Sequence, residues 1–162
     1  MVEVDVEYPV LASNTPISSE YLSLALRETR RNLEVGVALE EELGGFALNA
    51  VAPIELDQDL AGKAKTGSDS IAGPLRVFVD LFSRLVEIDT GAAMREFLSF
   101  RTDDSSVFAR LRIWVCGKEG LVSGTDAGVY IGELTDKVFW DRSHQRDLLL
   151  VVARRWNDFP AA

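Results

Sequence analysis

Apolar residues in most of this chain recur every three or four positions, and this spacing constrains the fold more than any other feature. Such a period places apolar side chains on one face of an α-helix. A period of two occurs only from Val2 to Val10, where one strand would have nothing to pair with. The helical pattern is strongest from Pro74 to about Asp89, in a stripe formed by Leu75, Phe78, Leu81, Phe82, Leu85 and Val86. The sequence therefore predicts an all-α protein.

Similar stripes predict six to seven helices in total. The first runs from about Ile17 to Leu43, with Leu22, Leu26, Leu33 and Val37 on one face. A later one begins after Ser105, where Phe108, Leu111, Trp114 and Val115 give a one-sided amphipathic pattern. The last is expected to turn Leu148, Leu149, Val152 and Trp156 toward the core. Short connections between the later helices favour stacked antiparallel helix hairpins, an α-solenoid-like arrangement.

Length and composition indicate a single helical domain over residues 16–162. The chain has 162 residues, of which 47% are hydrophobic, enough to bury one substantial core. Residues 1–15 are expected to form an N-terminal arm. Residues 61–73 are rich in glycine and serine and are predicted to form a loop. The apolar run from Phe46 to Val51 is compatible with a helical turn or a buried connector, and Pro53 to Asp59 with the start of a short helix, so the structure of residues 46–60 stays open.

The charge of the chain argues against nucleic acid and membrane partners. Twenty-six acidic and 17 basic side chains give a net charge of −9, and an acidic field repels phosphate backbones and anionic lipid. The basic doublets Arg30-Arg31 and Arg154-Arg155 are both expected on solvated helix faces. No apolar stretch approaches the ~20 residues that span a bilayer. With Cys116 the only cysteine, a cytoplasmic location is expected.

Few residues offer catalytic or metal chemistry. A nucleophile–base pair could only be Cys116 with His144, oriented by Asp126, Asp136 or Asp141. The preferred interpretation is that Cys116 is a structural core thiol and that His144 is exposed or half-packed. One cysteine and one histidine cannot complete a zinc site. The acidic pairs Asp57/Asp59 and Asp103/Asp104 lack an EF-hand pattern and are predicted to be turn residues and helix caps. No catalytic residue, cofactor or metal is predicted.

Aromatic residues near the C-terminus are the candidate binding residues. Trp140, Trp156 and Phe159 flank the last predicted helix. One hypothesis is that they anchor a protein partner or a neighbouring domain, since buried tryptophans often dominate binding energy. The other is that they staple the last helix onto the core, with Trp156 continuing its apolar stripe.

The second half of the chain also resembles a known class of region. The resemblance lies in Phe97-Leu98-Ser99, in Ser105 to Trp114 with its core-facing Arg110-Leu111 pair, in Leu134 to Asp141, and in Gln145 to Leu149. These segments resemble the HEAT-like α-helical repeat region of large multidomain bacterial proteins, which accompanies Sir2-like or NTPase domains in anti-phage defence. Faint agreement between Val77-Phe78 and Val107-Phe108 is compatible with a repeat or with two ordinary amphipathic helices.

The resemblance implies a non-catalytic scaffold or protein-interaction module, part of or partner to a larger defence-type protein. Its catalytic motifs have no counterpart in this chain. Two alternatives remain open: a small enzyme with an unfamiliar Cys/His site, and a regulatory dimerisation domain.

Overall fold

The computed structural model describes residues 16–43, 54, 71–102, 107–142 and 144–159, and all regular structure in these ranges is helical. Among the described residues, two 3-10 turns, Ser19–Tyr21 and Trp156–Asp158, accompany the α-helices. In the described ranges the α-helices are α1 (Leu22–Leu43), α2 (Ala72–Ile88), α3 (Thr90–Phe97), α4 (Val107–Cys116), α5 (Gly124–Gly132), α6 (Asp136–Phe139) and α7 (Gln145–Arg155). The all-α class is thus confirmed, and the described residues contain seven α-helices where the sequence predicts six to seven, whereas solenoid-like stacking stays a prediction.

Some sequence predictions fall outside these ranges. They concern the arm at 1–15, the segment 46–60 except for Ile54, the capping Ser105, and most of the loop at 61–73. The last residues of that predicted loop are described, and α2 already begins there, at Ala72.

The helices form two compact units, of which the first contains α1 and α2. Residues Leu22, Leu26, Leu33 and Val37 of α1 are fully buried, as their spacing predicts. Arg84, in the last turns of α2, donates from Nη2 to the carbonyl oxygen of Ile17 at 2.8 Å. Because Ile17 precedes α1, this bond places the end of α2 beside the beginning of α1, so the two helices are antiparallel.

The second unit contains α3 to α7 and Ile54, and α4 lies at its centre. Nine of the ten residues of α4 are buried, all except Arg112. The predicted one-sided amphipathic pattern was therefore wrong. Since α5 and α7 both pack against α4, the helix is enclosed on more than one face, and even Arg110 lies inside.

Two polar contacts show that α4 and α7 run in the same direction. Near their beginnings, Arg110 Nε lies 3.4 Å from Asp147 Oδ2. At their ends, Arg155 donates to the carbonyl oxygen of Cys116 at 2.7 Å. Because α7 runs parallel to α4, the segment that follows α7, Trp156 to Phe159, lies in the second unit near the end of α4.

Short polar side chains determine where α5 and α6 begin. The hydroxyl of Ser123 accepts from the backbone of Asp126, and that of Thr135 accepts from the backbone of Val138. Each hydroxyl satisfies an amide that the first helical turn leaves open. Among the described helices, none has both the length and the unbroken apolar character needed to cross a bilayer.

Candidate protein-binding groove

An open groove of about 470 Å³ lies between α5, α6 and the end of the described chain. Its volume is within the range of small-molecule and anchor-residue pockets. Helix α5 contributes Gly128, Ile131 and Gly132, Phe159 contributes from the end of the chain, and α6 with its flanking residues contributes Leu134, Asp136, Phe139 and Trp140. We call this set the α5–α6 groove.

The α5 side of the groove is shaped by glycines spaced four residues apart. Gly124, Gly128 and Gly132 follow one another on one face of the helix. Without side chains, Gly128 and Gly132 leave room beside Ile131. A Cβ atom added at Gly132 would meet nothing within 4 Å. The glycine period was present in the sequence and is the signal by which the groove could have been anticipated.

Gly124 has a different role, because it lets the end of the chain approach α5. A Cβ atom at this position would lie 2.3 Å from the carbonyl oxygen of Asp158. Phe159 is the next residue, so this close contact brings its ring to the groove. The 3-10 turn Trp156–Asp158 is thus held against the first turn of α5.

We expect Gly124→Ala to lower the free energy of unfolding by about 1–3 kcal/mol, because the added methyl group overlaps backbone atoms that cannot move aside as a flexible side chain can. Gly132→Ala is the matched control in the same helix. Its methyl group enters open space, and the better helix propensity of alanine should raise stability by about 0.5–1 kcal/mol. Urea unfolding of both variants measures the difference. Equal effects of the two substitutions would contradict the close approach at Gly124.

The α6 side of the groove carries the aromatic rings. In this single helical turn Asp136, Phe139 and Trp140 line the groove, at the i, i+3, i+4 spacing of one face. Val138 points the other way and is buried. The rings of Phe139 and Trp140 meet edge to face, with centroids 5.0 Å apart and planes at 74°. Trp140 is 67% exposed, so its indole is available to a binding partner.

Of the three aromatic residues predicted to bind, the structure brings two together. Trp140 and Phe159 line the α5–α6 groove, whereas Trp156 does not. Trp156 is 69% exposed, so the expectation that it continues the core stripe of the last helix was wrong. Leu149 was placed in that stripe as well and is also exposed.

A second, smaller cavity of about 200 Å³ lies near the groove and shares Leu134 with it. Phe97, Phe100 and Tyr130 supply its rings, and Arg112 and Glu133 supply opposite charges. The ring of Phe97 meets those of Phe100 and Tyr130 edge to face, at 5.6 and 5.2 Å. These mutual contacts occupy the ring edges, so this cavity offers less free aromatic surface than the α5–α6 groove.

The structure does not bring Cys116 and His144 together. Cys116 ends α4 and His144 immediately precedes α7. His144 precedes Arg155, which contacts the end of α4 at Cys116, by eleven residues, so Cys116 and His144 are separated by about 16 Å along the helix axis. Burial also raises the pKa of Cys116 to about 12, which keeps the thiol protonated near neutral pH. Among the candidate orienting carboxylates, Asp136 lies in the groove and Asp126 is exposed at the start of α5.

His144 is completely buried, contrary to the prediction of an exposed or half-packed ring. Its Nε2–H donates to the carbonyl oxygen of Val138, which ties the end of α6 to the start of α7. The buried Nδ1 atom has no hydrogen-bond partner among the described residues. The position of His144 is therefore structural support for the turn that carries Phe139 and Trp140.

A buried ion pair lies beside His144. Arg110 and Asp147 are each 3% exposed, and Asp147 Oδ1 accepts from the backbone N–H of Ile54 at 3.1 Å. Burial lowers the pKa of Arg110, while nearby Asp147 and Asp141 act to raise it. Burial raises the pKa of Asp147, and the guanidinium of Arg110 acts in the opposite direction. The pair links α4 to α7 three residues after His144.

No group of histidine, cysteine and acidic side chains that could hold a metal ion occurs within the described residues. The predicted caps at Asp57/Asp59 and Asp103/Asp104 lie outside those residues. Comparison with known protein families, curated protein sequences and solved structures gives no match. The geometry of the α5–α6 groove is thus the principal guide to function.

Proposed function

We propose that this chain is a non-catalytic, helical protein-interaction module that binds a partner protein, or a neighbouring domain of its own polypeptide, through the α5–α6 groove. The single observation that carries the proposal is the exposure of Trp140 within a groove lined mostly by apolar and glycine residues. An indole exposed to water is less favourable than a buried one, and tryptophan is enriched among the residues that contribute most to binding at protein interfaces. The groove supplies the concave surface that an anchoring side chain needs.

The wider setting that we propose follows the resemblance of residues from about 75 to 159 to helical repeat regions of bacterial defence proteins. In that setting the chain acts as a scaffold or sensor, in the cytoplasm, as part of or partner to a larger protein. The buried free thiol of Cys116 is compatible with a reducing compartment. Trp156 extends the proposed contact surface beyond the groove, as an exposed indole three residues before Phe159.

Filling the groove should abolish partner binding while leaving the fold intact. In Gly132→Leu the new side chain enters the open space between α5 and α6, so we expect binding to weaken by at least about tenfold. Trp140→Ala should weaken binding to a similar extent without loss of stability, because the indole is mostly exposed. Leu149→Ala is the control, since Leu149 is 60% exposed on α7 and does not line the groove.

The measurement begins with affinity capture from a bacterial host, using the wild-type protein and these variants as bait. A protein retained by wild type and Leu149→Ala but lost with Gly132→Leu is then purified, and its affinity is measured by calorimetry. Thermal unfolding of each variant shows whether it is folded. Equal binding by folded Gly132→Leu, or a large loss of stability in Trp140→Ala with binding intact, would contradict the proposal.

A further inference from the structure

We propose that the α5–α6 groove takes a cationic anchor, and specifically an arginine side chain of the partner protein. This inference rests on the proposed function and goes beyond it by naming the chemistry of the recognised group. It follows from the composition of the groove: three aromatic rings, one carboxylate and no basic side chain. A purely aliphatic anchor would use the rings but would leave the carboxylate of Asp136 partly desolvated beside it.

The aromatic part of the groove suits a planar cation. The faces of aromatic rings carry partial negative charge and attract a cation within about 6 Å. Phe139 and Trp140 stand at 74° to one another, so they offer two walls of different orientation, and Phe159 adds a third ring. A guanidinium can stack its flat face on an indole, whereas its aliphatic stem covers neighbouring apolar surface.

The carboxylate of Asp136 supplies the matching charge. Asp136 is the first residue of α6, and no other charged side chain lines the groove. Arginine carries N–H donors in a fork that fits both oxygens of a carboxylate, so one group can stack on Trp140 and pair with Asp136. The net charge of −9 adds a long-range attraction for a basic segment.

Within the described residues, a cation from the chain itself already lies over one aromatic ring, that of Trp114. Lys118 Nζ lies 4.5 Å from the centroid of the Trp114 ring, and Trp114 is buried. Among the described residues, no lysine or arginine lies over the ring of Trp140. The exposed indole in the groove is therefore open to a cation from outside.

The test uses two short peptides that differ only in charge: acetyl-Leu-Arg-Leu-amide and the same peptide with citrulline, the neutral isostere of arginine. Their binding is followed by NMR through the indole N–H signals of Trp114, Trp140 and Trp156, assigned with single Trp→Phe variants. We expect the arginine peptide to shift the Trp140 signal saturably and to bind at least about fivefold more tightly than the citrulline peptide. The Trp156 signal, outside the groove, should shift far less.

The second part of the test removes the negative charge of Asp136. In Asp136→Asn the arginine peptide should bind about three- to tenfold more weakly, with the citrulline peptide unchanged. Glu119→Gln removes one negative charge at an exposed residue that does not line the groove, and should change neither affinity.

Two outcomes overturn the inference. Equal affinity for the two peptides in the wild-type protein would show that the groove accepts a neutral anchor, and the proposed function would survive. The arginine peptide is titrated up to about 10 mM, which is tenfold above a weak dissociation constant of about 1 mM. If the Trp140 signal shows no saturable shift over this range, the groove does not recognise the cation. The proposed function is tested separately, by the loss of partner binding in Gly132→Leu. Failure of the peptide experiment can therefore be distinguished from failure of the proposed function.

Discussion

Arg110→Met is expected to lower the free energy of unfolding by about 3–5 kcal/mol, because it leaves a buried carboxylate without its charge partner. Both members of the Arg110–Asp147 pair are buried. Removal of the guanidinium leaves the Asp147 carboxylate inside the second unit, where the N–H of Ile54 is its only hydrogen-bond donor among the described residues. An uncompensated charge in an apolar environment costs far more than the pair itself contributes. Chemical denaturation monitored by circular dichroism measures the loss.

A double-mutant cycle separates the cost of the orphaned charge from the loss of packing. Asp147→Asn removes the charge but keeps an oxygen that can accept from Ile54. We expect Arg110→Met/Asp147→Asn to be more stable than the sum of the two single losses predicts, by about 2–3 kcal/mol. Additive losses would show that the two side chains do not interact energetically, and the 3.4 Å approach of Arg110 Nε to Asp147 Oδ2 would then have no thermodynamic consequence.

The first unit of the fold could be predicted well because its buried faces are almost entirely apolar. In α1 and α2 the helical period of leucine, valine and phenylalanine coincides with burial, from Leu22 to Leu85. In helices whose buried faces are apolar, the spacing of the apolar residues identifies the buried positions directly. The expected start of α2 was displaced by only two residues, since Pro74 lies within its first turn.

The last helix was misread because two positions on its buried face are charged. Asp147, Leu148, Val151 and Arg155 are buried in α7, whereas Leu149 and Trp156 face outward. A pattern based on apolar residues rotates the predicted face toward Leu149 and Trp156. The partners that make burial of the charges acceptable, Arg110 and the carbonyl of Cys116, are 37 and 39 positions away in the sequence. Such pairing over long separations is invisible to local periodicity.

Local sequence patterns also predict only part of the candidate site. Trp140 and Phe159 were recognisable from composition, since exposed aromatics near polar turns are candidates for binding. That they share one groove depends on the approach of Asp158 to Gly124, and the glycine period of α5 does not by itself show which distant segment packs there. The sequence suggests Asp136 only as a possible orienting group for catalysis, whereas the structure places it beside the aromatic rings of the groove.

Arg155→Met is expected to lower the free energy of unfolding by about 2–4 kcal/mol, because two buried carbonyl oxygens lose their donor. The Nη1 atom of Arg155 donates to Cys116 at 2.7 Å and to Val122 at 2.8 Å. These bonds satisfy carbonyl oxygens at the end of α4 and in the connection to α5. Local capping groups normally supply such donors at the end of a helix. Arg155 was expected on a solvated face and is only 3% exposed.

The same substitution should also weaken partner binding through the groove. Nε of Arg155 bonds Asp158 Oδ2 at 3.1 Å, and Asp158 in turn packs on Gly124 beside Phe159. Loss of the guanidinium therefore releases the wall of the groove that carries Phe159. Arg154→Met is the matched control, since Arg154 is the exposed neighbour and its replacement should change stability by no more than about 0.5 kcal/mol. Equal losses in the two arginine variants, measured by urea unfolding, would show that Arg155 does not close the end of α4.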